Sequence, residues 1–494
     1  LWRGHIDVNL SDRALHEIYL PAFKSAVIDG DSWTIMGAYN KIRGQHACHN
    51  EMLLNKILKG DWGYKGVVVT DWGGAHDTRE AALYGLDLEM GSYTNGLTSE
   101  SEFTTDDYYL ADPYIAMLKK GEVPMETIDD KVRRMLRLNF LTAMKRNKPL
   151  GSVATPEHYA VAEEIGNEGI VLLKNAPVGK KGPRLLPLNP EVGSILVVGD
   201  NATRDLMKGG GSSELKVKDN VTPLEGLRAV YGDKVKYAQG YRAGKPMYSH
   251  VEEIPQSVQD SLRAEAVAMA KDADVVIFIG GLNKNHLQDC EAGDREEYAL
   301  PFGQPQLIRE LSAVNPDIVV VLLSGNAVEM PWAKDVPAIV QGWYLGSMAG
   351  RSIANVISGK VNPSGKLPFS FPVRLEDNGA HSFGAIAYPG DSIREEYLED
   401  ILVGYRWHDT KKIPAFYPFG HGLSYTDFKY GKAQASAKTI GDGEEFTITI
   451  PVTNTGKVEG KEVVQLYIGD ESASVLRPLK ELKGFEKISL KPGE

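Results

Sequence analysis

Apolar positions in the first part of the chain switch repeatedly between helical and strand spacing. Ser11 precedes Leu15, Ile18, Tyr19, Phe23, Ala26 and Val27, an apolar stripe at helical period with a residue suited to cap it. Trp33 to Tyr39 reads as a strand. Asn50 caps a second stripe of Leu53, Leu54, Ile57 and Leu58, and Gly66 to Thr70 follows as a strand. Its three consecutive valines suit a strand covered on both faces. Asp77 opens a helix to about Tyr84, Leu86 to Met90 reads as a third strand, and an amphipathic helix runs from Thr127 to about Lys145. About three strands of this kind fit here, whereas a closed (β/α)8 barrel needs eight. Residues 1–146 are therefore expected to form the C-terminal part of a (β/α)8, TIM-like barrel, with a companion N-terminal barrel segment supplying the rest.

A second α/β region follows a linker expected at 147–165. A helix from Glu157 leads into Ile170 to Leu173, and apolar strands recur at Ile195 to Val198, Val275 to Ile279, Ile318 to Leu323 and Ala338 to Trp343. Helices at about Gln259 to Lys271, Pro305 to Ala313 and Met348 to Ser358 separate them. This pattern predicts a mostly parallel sheet between helices, an α/β sandwich domain over 166–377. Residues 378–426, rich in Gly, Pro and aromatics, read as an irregular tethering segment. From 427 to 494, short strands at Phe446 to Val452, Glu462 to Ile468 and Leu479 to Phe485 predict a β-sandwich that is incomplete at Glu494.

A chain of 494 residues is too long for one core. The formal charge of −11 disfavours nucleic acid and anionic membrane surfaces, and no apolar run reaches the length of a membrane span. Cys48 and Cys290 form neither a metal spacing nor a disulfide framework, and read as two buried free thiols unless the fold pairs them.

Two acidic segments carry candidate chemistry. Asp71 ends the valine strand, followed by Trp72, Gly73 and Gly74, so a carboxylate and an indole stand where α/β barrels keep their reactive groups. The competing reading is an Asp that caps the next helix. Asn283 to Leu300 contains Asp289-Cys290-Glu291-Ala292-Gly293-Asp294-Arg295-Glu296-Glu297 and follows an apolar strand, at the edge where α/β sheets form ligand crevices. Its competing reading is a solvated acidic surface, with Asp294 and Arg295 as a local ion pair. Gly209-Gly210-Gly211-Ser212-Ser213 lacks the ending of a phosphate-binding loop and reads as a flexible loop lining a cleft.

Six motifs, in order along the chain, resemble glycoside hydrolase family three: Met36-Gly37-Ala38-Tyr39-Asn40, Val69-Thr70-Asp71-Trp72, Leu86-Asp87-Leu88-Glu89-Met90, Val171-Leu172-Leu173-Lys174-Asn175, Asn362-Pro363-Ser364-Gly365-Lys366-Leu367-Pro368 and Phe419-Gly420-His421-Gly422-Leu423-Ser424-Tyr425. The resemblance is to the β-glucosidase branch with a fibronectin type III-like third domain. It implies a retaining, exo-acting β-glucosidase with Asp71 as nucleophile and Glu291 as acid/base. Such chemistry wants an ionised Asp71 and a protonated Glu291, meeting across an interdomain cleft.

Met36, Tyr39, Trp72 and Ser212 match positions lining the family's sugar site. Core packing competes for Met36 and Tyr39, barrel-rim packing for Trp72, and Ser213 is an alternative to Ser212. The Asp, Arg and Lys-His pair with which the family grips sugar hydroxyls have no match in residues 1–150, which implies half a sugar pocket here. The resemblance further implies a β-glucoside or short β-glucan substrate, no cofactor or metal, and a periplasmic or extracellular setting. It leaves open a homo-oligomer, a β-xylosidase or mixed specificity, and a non-catalytic sugar-binding relative.

Overall fold

The computed structural model describes residues 3–91, 108–145, 148–178, 182–247, 250–291 and 293–494. The chain divides into two compact units, Leu1–Gly151 with Glu376–Trp407, and Ser152–Leu375 with His408–Glu494.

In the first unit the capping residues act as their chemistry dictates. Ser11 Oγ accepts the Ala14 N–H at 2.9 Å and opens a helical run that ends at Ile28. Asn50 accepts the Leu53 N–H at the head of Glu51–Asp61, and Asp77 accepts the Glu80 N–H at the head of Thr78–Leu83. The strand expected from Trp33 is Thr34–Gly37, which pairs in parallel with Val67–Thr70 and sets Met36 opposite Val69. The long helix spans Met125–Leu141.

Leu86 to Met90 is not a strand. Only Leu88 bridges to Val69, because Asp87 turns its carboxylate onto the ladder. Its Oδ2 accepts the Val68 N–H at 2.9 Å, and its Oδ1 accepts the Lys59 ammonium at 2.7 Å. The 378–426 stretch is also more ordered than expected. Arg394–Glu396 pairs in parallel with Asp7–Asn9, and Tyr405–Lys411 is helical.

The second unit is built on a six-stranded sheet. Its spatial order is Val171–Asn175, Ala338–Gln341, Ile318–Leu323, Val275–Gly281, Ile195–Val198 and Val235–Ala238. The last five run parallel, and the first is antiparallel to Ala338–Gln341. Val235–Ala238, an edge strand, had no clear apolar signature, since Lys236 faces solvent. Residues of the central strands alternate between two cores. Val276, Phe278, Val320 and Leu322 join Leu307, Ile308 and Leu311 on one face. Ile277, Ile279, Val319 and Val321 join Leu224, Leu227, Ile353 and Val356 on the other. Helices Pro223–Tyr231 and Ala349–Ile357 touch at Gly226, where a Cβ would sit 1.9 Å from the Gly350 carbonyl oxygen.

Toward the C-terminus the described strands form antiparallel pairs, the longest joining Gly460–Ile468 to Glu481–Leu490. The strand expected at Phe446 to Val452 is divided at Pro451, which has no N–H to donate, into Ile448–Thr449 and Val452–Asn454. Among the described residues, no helix is long and apolar enough to cross a membrane.

Candidate active site

Asp71 comes directly after the strand Val67–Thr70, at its C-terminal end. Its N–H donates to the Gly37 carbonyl at 3.1 Å and extends the parallel ladder by one bond. The chain then turns back, with the Gly74 N–H donating to the Asp71 carbonyl at 3.0 Å. Asp71 Oδ1 accepts the Trp72 N–H at 2.7 Å. Asp71 does not cap the next helix; Asp77 does.

Cys48 lies behind this turn. A Cβ on Gly37 would come within 2.8 Å of its sulfur, and one on Gly74 within 2.6 Å, so the thiol is wedged between two glycines. Burial pushes its pKa up to about 12, so the thiol stays neutral and unreactive. Cys290 is buried as well, and neither cysteine is in a disulfide.

Trp72 is 52% exposed, and one edge of its indole lies against Gly91, where a Cβ would fall 2.2 Å from Cδ1. The ring is backed along one edge and open to its surroundings elsewhere. Met36, beside Gly37, is 56% exposed. Tyr39 is half-buried, with the Arg3 guanidinium 5.7 Å from its ring centre and its carbonyl accepting from His46 Nδ1 at 2.9 Å.

Beneath the same turn is a histidine cluster that periodicity and motif spacing do not single out; its one sequence signal is His46 and His49, three positions apart. The His76 N–H donates to His49 Nε2 at 3.2 Å, so that nitrogen must be unprotonated. Nδ1 therefore carries the proton and donates to Glu80 Oε2 at 2.8 Å. His46 stacks on His76 with ring centres 3.8 Å apart. Burial lowers the pKa of all three, and His76 falls to about 4. The segment from Asp71 to Asp77 is thus held by neutral imidazoles.

In the second unit Glu291 occupies the tip of a tight hairpin. Asp289–Cys290 pairs antiparallel with Gly293–Asp294, and Ala292 lies outside the described residues. The glycine-rich loop closes on this tip. The Ser212 N–H donates to Glu291 Oε2 at 2.6 Å, and the Glu291 N–H donates to the Gly210 carbonyl at 3.4 Å. Gly209, Gly210 and Gly211 have φ of 84°, 82° and 74°, a left-handed run that side chains resist. Lys284 Nζ donates to the Ser213 carbonyl at 3.1 Å, and Ser213 Oγ turns back onto Gly210. Ser212 is exposed and keeps its backbone on Glu291.

Asp289 is no solvated surface acid. Its carboxylate accepts from Gly325 N, Tyr344 Oη and Asn326 Nδ2 at 2.9, 2.7 and 3.1 Å. Arg295, read as an ion-pair partner of Asp294, places Nη2 on Asn326 Oδ1 at 3.0 Å and on the Ala327 carbonyl at 2.9 Å. Burial lowers its pKa and raises that of the Tyr344 phenol well above the ordinary range.

Family models match three segments of the chain. They are the Glycosyl hydrolase family 3 N terminal domain over residues 3–138, the Glycosyl hydrolase family 3 C-terminal domain over 170–425, and a Fibronectin type III-like domain over 462–494. The α/β plus β-sandwich class agrees with these matches. The chain is 62% identical over its whole length to a Bacteroides ovatus protein named Beta-glucosidase BoGH3A, of which it covers 66%. It is 34% identical over its whole length to an Exo-alpha-(1->6)-L-arabinopyranosidase of Bifidobacterium breve, covering 61% of it. Among solved structures, a family 3 β-glucosidase of Bifidobacterium adolescentis aligns with all of this chain at 35% identity and a TM-score of 0.85, with 67% of that protein covered. The chain thus spans about two-thirds or less of the length of these curated relatives.

Proposed function

Because this chain belongs to glycoside hydrolase family 3, we propose that it carries the catalytic carboxyls of a retaining, exo-acting β-glucosidase. The observation that carries this reading is the 62% identity, averaged over the whole chain, to a protein named beta-glucosidase. The local geometry supports the roles. Asp71, whose side chain accepts the Trp72 N–H, attacks the anomeric carbon. The bond to the leaving oxygen breaks, and that oxygen takes a proton from Glu291. Glu291 then removes a proton from water, which attacks the same carbon and releases Asp71 and the sugar with its configuration retained.

Trp72, open on one side, offers an apolar surface to sugar C–H groups, and Met36, Tyr39 and Ser212 complete this chain's share of the pocket. The finer fold reading belongs to the same proposal. Parallel pairing of Thr34–Gly37 with Val67–Thr70, and the parallel bridge from Val69 to Leu88, favour the C-terminal part of a (β/α)8 barrel. Exposed Phe23 and Trp33 favour a companion N-terminal barrel segment that covers them. The domain boundaries at 146, 165, 377 and 426 are proposed with it.

Hydrolysis of 4-nitrophenyl β-D-glucoside, with the first-released sugar followed by NMR, tests the reading. β-Glucose should appear first; initial α-glucose would overturn retention. A second reading, a pentopyranosidase or mixed-specificity enzyme, gains support from the arabinopyranosidase relative, whose sugar lacks the exocyclic hydroxymethyl group. Comparing kcat/KM on the nitrophenyl glucoside, xyloside and arabinopyranoside separates the two.

A further inference from the structure

We propose that Asp289 is a positioning residue for Glu291, pinning the root of the hairpin whose tip carries the acid/base. The inference rests on Glu291 having that role. Only Cys290 separates the two acids, and a two-stranded hairpin of this size has little stability of its own. Its orientation must come from what it touches, the glycine-rich loop at its tip and the sheet edge at its root.

The root touches two loops of the sheet edge. Gly325 and Asn326 come after the strand Ile318–Leu323, Tyr344 comes after Ala338–Gln341, and these strands are parallel neighbours. All three donate to the Asp289 carboxylate, at 2.9, 3.1 and 2.7 Å. The returning arm is tied to the same place, because Arg295 donates to Asn326 Oδ1. Asn326 therefore joins both arms of the hairpin to one loop. A carboxylate suits the position because it is an acceptor only, facing three donors. Its neutral isostere, an amide, would turn an NH2 group toward at least one of them. A shift of about 1 Å at a catalytic group costs on the order of a hundredfold in rate, so a loosened root should register in proton transfer.

The test compares the intact enzyme with Asp289→Asn and Tyr344→Phe. Asp289→Asn should lose roughly 10–100-fold in kcat/KM on a disaccharide, where the leaving group needs its proton. On a dinitrophenyl glucoside, which leaves unaided, the first step should change little, and azide should accelerate turnover of the variant. Tyr344→Phe removes one hydrogen bond of three and should fall between wild type and Asp289→Asn. Equal losses on both substrates, or no loss in a folded Asp289→Asn, would overturn the proposal. Hydrogen exchange supplies an arm independent of activity: amides of Cys290, Gly293 and Gly325 should exchange faster in Asp289→Asn, and unchanged protection would refute the anchoring. If wild type cleaves neither glucoside, the functional reading falls, while the exchange arm still decides whether Asp289 holds the hairpin.

Discussion

The two acids are mounted in different ways. Asp71 is a continuation of a parallel strand, and its backbone is placed by the ladder itself through Gly37. The turn beyond it is packed tightly by sterics, with Cys48 filling the space that two glycines leave. Glu291 belongs to no large sheet. It stands on a small hairpin held by side-chain hydrogen bonds at its root and by a left-handed glycine loop at its tip. A nucleophile that must reach one carbon gains from a rigid ladder. An acid that gives a proton and later takes one back is carried on a separable arm, held at both ends by hydrogen bonds.

Several substitutions probe this contrast. Asp71→Ala should lower turnover by roughly 10⁴-fold or more while leaving the melting temperature unchanged. Undiminished hydrolysis of the nitrophenyl glucoside would remove Asp71 from the mechanism. Glu291→Ala should cost roughly 10²–10⁴-fold on substrates with poor leaving groups, much less on activated ones, with partial rescue by azide. A uniform loss without rescue would deny it the acid/base role.

The two kinds of mount should then respond differently to an added methyl group. Gly74→Ala places a Cβ against the Cys48 sulfur and should destabilise by about 1–3 kcal/mol, an effect that Cys48→Ala relieves by making room. Gly210→Ala should cost a similar or smaller amount, about 1–2 kcal/mol, because its φ of 82° is itself unfavourable for a side chain. Its Cβ would also meet Lys284 Cε and Ser213 Oγ at 2.7 Å. Trimming Lys284 should restore only part of that loss, since the backbone strain persists. Thermal melts of the singles and doubles decide between steric and conformational mounts. Full recovery in both pairs would erase the distinction.

Acid gives the mildest test. His76 titrates at about 4 in the folded chain against 6.5 unfolded, chiefly through burial and then through repulsion from His46 and His49. The unfolded state therefore binds the extra proton first. Stability is at its plateau above about pH 6.5 and declines as pH falls toward 4. His46 and His49 are lowered as well and act in the same direction. Hydrogen exchange should show the Asp71 to Asp77 segment loosening over this window while the Cys290 hairpin stays protected. Loosening of both together would mean that the histidines are not what separates the two mounts.

Much of this architecture was legible from short stretches of chain. The caps at Ser11, Asn50 and Asp77, the buried strands at Val67, Val275 and Ile318, and the place of Asp71 at a strand end are all set by neighbours within a few residues. The same local reading misled at Leu86 to Met90. An apolar-polar alternation was present, but the Asp87 side chain took the backbone donor that a strand would have used. It also treated Asp289 as one acid among five, because Gly325, Asn326 and Tyr344 are far away in the sequence. The histidine cluster escaped notice because His76 meets His46 only once the turn after Asp71 has formed.

The order of residues alone determined where most of the helices and strands fall, and that an acid would come after the valine run. Periodicity and capping are properties of adjacent positions, so they need no fold to be read. Which strands lie side by side, which loops meet at their ends, and therefore which donors surround Asp289 and Glu291, only the tertiary structure decided. Those contacts depend on strand order and register, and a hydrogen bond acts over about 3 Å of space regardless of separation along the chain.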